Sequence, residues 1–95
     1  MRFTWDRAKS EVNHKERGFD FAFASLIFDG PILMVEDSRR DYGEQRFVAI
    51  GVADGLHLTV VFTDREGKGG RVTRRIISAR RSNKRERQHY GKIVG

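Results

Sequence analysis

The chain has 95 residues, with 19 Lys and Arg, 13 Asp and Glu, a formal charge of +6 and no cysteine; this fits one domain with a modest core and excludes disulfides, thiolate metal sites and cysteine nucleophiles. Its histidines, His14, His57 and His89, lie far apart and match no short ligand spacing, so neither a metal nor another cofactor is expected. The longest apolar run, Phe21 to Phe28, falls far short of the ~18 residues of a membrane span, and the first residues, Met-Arg-Phe-Thr-Trp-Asp, carry no apolar export core, so a soluble, cytoplasmic protein without membrane contact is expected.

In chain order, Arg2 to Trp5 reads as a short strand whose Phe3 and Trp5 share a face. Asp6 is an N-cap candidate for a polar helix over Lys9 to Arg17 that ends at Gly18, and Lys9, Asn13 and Arg17 recur every four residues along one ridge of it. Asp20 caps a second, apolar helix through Phe28 that is stopped by Gly30-Pro31 and should form the centre of the core. From Ile32 the period changes. Ile32 to Val35, Arg46 to Val52, Leu56 to Thr63 and Arg71 to Ser78 read as strands, joined by short turns into an antiparallel meander. Leu56, Leu58, Val60 and Phe62 alternate with His57, Thr59, Val61 and Thr63 and should face the helices. Glu36 to Glu44 is charged and turn-prone, which predicts a mobile loop. Asn83 with Glu86 resembles a capping box opening a last helix over Lys84 to Tyr90, with Gly91 as its stop.

Charge is concentrated at one end. Arg65 to Lys92 carries eleven basic and two acidic side chains, a net +9, whereas residues 1–64 carry eight basic and eleven acidic ones. Such asymmetry points to a polyanionic partner, most simply RNA or DNA. Val72, Ile76, Ile77 and Ala79 interrupt the run with strand-like residues, so the cations are mounted on ordered elements instead of a solvated tail.

Several segments together resemble the BrnT-like toxins of type II toxin–antitoxin systems, within the wider RelE-like ribonuclease superfamily. They are Trp5-Asp6, Lys9, Asn13 and Gly18; Phe21 and Ala24; Phe28-Asp29-Gly30-Pro31; Gly43 to Gly51; Val60 to Arg65; Arg75 to Arg80; and Arg85-Glu86-Arg87 with Tyr90. The resemblance implies a single α+β domain with an antiparallel or mixed sheet of four to five strands, two N-terminal helices packed on it and a short C-terminal helix. It also implies ribonuclease activity that inhibits translation, neutralised by a BrnA-like antitoxin whose DNA-binding domain carries any contact with operator DNA. A homodimer or a heterotetramer with antitoxin is compatible with the resemblance alone. Where the family usually has Lys-His-Gly before the second helix, this chain has Glu16-Arg17-Gly18; a guanidinium stays protonated and cannot take over proton transfer from a histidine.

RNA cleavage without metal needs a deprotonated ribose 2′-OH aligned on phosphorus and cations where charge accumulates. Arg65, Arg75 and Arg80 are therefore the leading candidates to stabilise the transition state, with Arg46 close behind, and the resemblance raises Arg65 and Arg80 above their neighbours as catalytic residues. Tyr90 is nominated for base stacking or proton relay, against packing of the last helix; Glu44 for general base, against simple pairing with Arg46; and Lys9 for phosphate, against solvation. Arg46, Arg75, Arg81, Lys84 and Arg85 are the RNA-binding candidates. Opposed to the nuclease stands a second class: a non-catalytic basic module that binds nucleic acid or serves only as the antitoxin's partner.

Overall fold

The computed structural model describes residues 1–95. After strand β1 (Arg2–Trp5), helix α1 (Arg7–Arg17) starts where the Lys9 N–H donates to Asp6 Oδ1 at 3.0 Å and ends at Gly18, whose φ of 84° is open to glycine at little cost. The inward face of α1 is polar. Ser10 and Asn13 are buried and hold the following segment: the Phe21 N–H donates to Ser10 Oγ at 3.0 Å, and Asn13 Nδ2 donates to Phe19 O at 2.9 Å. The anticipated apolar helix is divided. Helix α2 (Phe21–Ala24), capped by Asp20, tightens into a 3-10 segment over Ser25–Asp29. The Ser25 hydroxyl donates to Ala22 O at 2.6 Å, and Ile27 lies so close to the sheet that a Cβ at Gly51 would fall 2.8 Å from its own Cβ.

Strands β2 (Leu33–Asp37), β3 (Arg46–Ala53), β4 (Leu56–Glu66) and β5 (Val72–Arg81) form the antiparallel meander, and the β3–β4 hairpin turns on Asp54 and Gly55, both at positive φ. β1 returns to the far edge, parallel to β5, giving the order β1-β5-β4-β3-β2 and a mixed five-stranded sheet. Leu58, Val60 and Phe62 face Phe21, Ala24 and Ile27, together with Ala49, Ile76 and Ala79 of the flanking strands. Phe3, Phe28, Phe62 and Phe47 make a continuous aromatic row with centroids 5.2 to 5.6 Å apart.

Two expectations need correction. The loop expected over Glu36 to Glu44 is shorter: β2 takes in Glu36 and Asp37, and Ser38 to Glu44 lies outside any helix or strand. Asp37 is buried, and Arg39 donates from Nε and Nη2 to its two carboxylate oxygens at 2.8 and 2.9 Å. The Tyr42 hydroxyl donates to the same carboxylate at 3.1 Å, while the Arg46 guanidinium lies 4.2 Å from the Tyr42 ring centre. Helix α3 (Lys84–Ile93) also runs past Gly91, because the Val94 and Gly95 N–H groups donate back to Tyr90 O and Gly91 O. Its capping box is present: the Glu86 N–H donates to Asn83 Oδ1 and the Asn83 N–H to Glu86 Oε1. No helix is long and apolar enough to cross a membrane.

Candidate functional site

The sheet face away from α2 is only partly covered. At one end α3 closes over it, Tyr90 packing edge-on against His57 at 5.6 Å. Beyond α3 the face is open, and the strand register builds it in rows. Leu33, Ile50, Thr59 and Arg80 form one row; Val35, Val48, Val61 and Ser78 form the next; the pairs Asp37 with Arg46 and Thr63 with Arg75 follow; Arg65 beside Thr73 comes last. From β2 to β5 this floor spans three inter-strand spacings, about 14 Å.

A β-bulge makes the arrangement. Strict alternation would send Arg75 and Arg80 to opposite faces, but Val61 pairs with Ser78 and Phe62 with Ile76, leaving Ile77 without a partner. The extra residue shifts the phase, so Arg75, Ser78 and Arg80 share the open face while Ile76 and Ala79 share the core.

A groove of about 560 Å³ occupies this face, floored by Val35, Val48, Val61 and Ser78 and rimmed by Arg39, Arg80 and Glu86. It meets two further clefts. One, of about 490 Å³, runs along α3 past Arg85, His89 and Lys92 and shares Ile50 and Glu86 with the groove. The other, of about 340 Å³, lies round the β5 edge beside Lys9 and Arg17 and shares Ser78.

Arginines here are oriented by carboxylates. Arg80 donates from Nη1 and Nη2 to the two oxygens of Glu86 at 2.7 and 2.8 Å, and Glu86 also accepts from the Thr59 hydroxyl and the Asn83 N–H. The Arg80 hydrogen bonds, with that from Asn83, hold the Glu86 carboxyl down at about 2, and Glu86 in turn raises Arg80 above the ordinary arginine range. Glu44 accepts from Arg46 Nε at 3.1 Å and Arg65 Nη2 at 3.3 Å; the Arg46 hydrogen bond is the main cause of its lowered pKa. Arg39 likewise drives Asp37 far below the carboxylate range. Carboxylates held this way are weak bases, and no histidine lines the groove. What the face offers is fixed positive charge at defined places.

The nominated residues divide accordingly. Arg46 and Arg65 meet at Glu44 toward one end of the open face, with Arg75 on the same face beside Thr63. Arg80 stands six residues away from Arg65 along β4, roughly 20 Å, and is the only one of the four that lines the groove. Lys84 and Arg85 stand exposed on the first turn of α3. Lys9 is exposed on α1, reaching the site only through the cleft round β5. Arg81 alternates to the other face, beside Gly18, Phe19 and Asp20, away from the groove. Tyr90 is 7% exposed and donates its hydroxyl to Pro31 O at 2.8 Å, so its ring packs α3 onto the sheet and is closed to a stacking base. Arg17 donates to Ala79 O at 2.7 Å, next in chain to Arg80. Sequence reasoning missed Arg39, Thr59 and Glu86, all on the groove; for Glu86 the capping-box spacing was a signal of position, yet not of its pairing with Arg80.

Residues 5–86 match a protein-family model described as the ribonuclease toxin, BrnT, of type II toxin–antitoxin systems. No curated protein matches the chain.

Proposed function

The chain belongs to the BrnT family of ribonuclease toxins of type II toxin–antitoxin systems, and from that premise we propose that it cuts RNA within a strand, without metal, in the groove of the open sheet face. The observation that carries this reading is that Arg46, Arg65, Arg75 and Arg80 all stand on one side of the sheet, strung along the open face, with Arg80 on the rim of the groove. In the reaction the 2′-oxygen gives up its proton and forms a bond to phosphorus. The bond to the 5′-oxygen breaks, and that oxygen takes up a proton. Charge grows on the phosphoryl oxygens between these events, and arginines already held in place stabilise it without reorganising. Glu44 is the nominated base, but its two arginine partners lower its proton affinity, so the larger share of the rate enhancement falls to the arginines. Arg65 beside Glu44 and Arg80 on the groove rim, six residues along β4, meet different phosphates of the strand. The uncovered cations of α3 supply binding along the strand.

On this reading the fold is RelE-like, the RNA cleaved supports translation, and growth stops until an antitoxin covers the groove. An acidic or helical segment of a DNA-binding, BrnA-like antitoxin is the expected cover, since acidic side chains complement the arginine rim in charge. The non-catalytic alternative draws on one observation: the groove presents paired carboxylates and no histidine. Incubating the purified protein with RNA in EDTA, alone and with excess antitoxin, separates the two. New RNA ends that persist in chelator and vanish with antitoxin support the nuclease; intact RNA with retained binding supports the module. Arg80→Ala and Arg65→Ala should each cut cleavage roughly 100-fold or more with the circular dichroism spectrum retained, and full activity in both would remove the assignment.

A further inference from the structure

We infer that Arg39 is a second phosphate-binding arginine of this groove, meeting the ribose–phosphate chain from the rim opposite Arg80, with the buried Asp37 carboxylate as its positioning residue. The inference rests on the RNA-cleaving reading of the same groove and adds a residue from a segment whose sequence has only turn chemistry.

The contrast in burial within the pair comes first. The Asp37 side chain is 2% exposed, whereas that of Arg39 is 74% exposed. A carboxylate at the end of an edge strand is thus sunk into the protein, and the arginine it holds is turned outward. The hold is stiff. Asp37 Oδ1 accepts from Arg39 Nε at 2.8 Å and from the Arg39 backbone N–H at 3.3 Å, while Oδ2 accepts from Arg39 Nη2 at 2.9 Å and the Tyr42 hydroxyl at 3.1 Å. Nη1 of Arg39 donates to nothing in the chain and keeps its N–H groups for an acceptor outside it.

Place in the fold supplies the rest. Asp37 ends β2, the strand at the opposite edge of the open face from β5, and Arg39 and Arg80 line the same groove from its two sides. Each guanidinium is clamped by a carboxylate through two nitrogens. A planar cation fixed before binding loses less freedom when it meets a phosphate than a free side chain does. An ordinary surface ion pair would have both partners exposed and no reason to stand on the groove rim.

The test uses the full chain, a fluorescent single-stranded RNA and its 2′-O-methyl counterpart, which binds but lacks the nucleophile. Arg39→Ala should flatten the slope of log Kd against log salt by about 0.7, the value of one phosphate contact on a single strand, and lower kcat/KM for the RNA by roughly 10- to 100-fold. Asp37→Asn keeps the Arg39 cation and loosens its clamp; the slope should stay at the wild-type value while kcat falls more than KM rises. Arg7→Ala, on α1 across the molecule, controls for net charge and should change neither reading. Because Arg39→Ala leaves Asp37 uncompensated, the double variant Asp37→Asn/Arg39→Ala is measured with it and should show the same lost slope in a folded protein. A wild-type slope and kcat/KM in both alanine variants overturns the inference, as does an equal loss in Arg7→Ala. If the wild type binds but never cuts, the nuclease reading fails, and the slope still decides Arg39 separately.

Discussion

Glu86→Gln tests whether the Arg80 clamp holds the fold as well as the groove. The substitution keeps the shape and removes the charge from a side chain that receives both Arg80 nitrogens and opens α3. The folded-state pKa of about 2, against an ordinary 4.5, corresponds at full value to about 3 kcal/mol. Arg80 is 47% exposed, and solvent screening reduces the expected contribution to about 1–2 kcal/mol. Since the pKa is depressed on folding, this stabilisation is fully present above 4.5 and is lost as pH falls toward 2. Urea unfolding of the variant and the wild type should therefore differ by about 1–2 kcal/mol at pH 7, with more than half of that gap gone by pH 3. A gap of equal size at both pH values, or none at pH 7, would refute the ion-pair origin of the shift.

Tyr90→Phe removes the hydroxyl that donates to Pro31 O and should cost about 1 kcal/mol in urea unfolding; a cleavage defect far beyond that loss of folded protein would restore the proton relay nominated from sequence. Gly51→Ala places a methyl 2.8 Å from Ile27 Cβ and 3.3 Å from its carbonyl oxygen, and the thermal midpoint should fall by an amount equivalent to about 1–3 kcal/mol; an unchanged midpoint would mean the 3-10 segment yields freely.

Much of the fold was legible because it rests on local chemistry. Asp6, Asp20 and Asn83 announce three helix starts through short polar side chains that satisfy free N–H groups. Leu58, Val60 and Phe62 announce a buried strand face through their period of two. The order of the apolar helix was less so: Phe21 to Phe28 has the composition of a helix, yet it winds into a 3-10 segment over Ser25–Asp29 whose Ile27 lies against Gly51, a glycine far along the chain. The site candidates fared by the same rule. Arg65 and Arg80 stand out by residue type within a recognisable pattern, whereas Arg39 and Glu86 gain meaning only from the partners that reach them.

By itself the sequence determined the charge asymmetry, the helix caps, the alternation of the central strands and the family to which the chain belongs, since each is written in neighbouring residues or in motifs read in order. The tertiary structure alone decided which arginines share a face. One unpaired residue, Ile77, reverses the phase of β5 and turns Arg75 and Arg80 to the same side, and strand order alone sets β2 with Asp37 and Arg39 across the groove from them. Register is a relation between strands, so no count along one strand contains it.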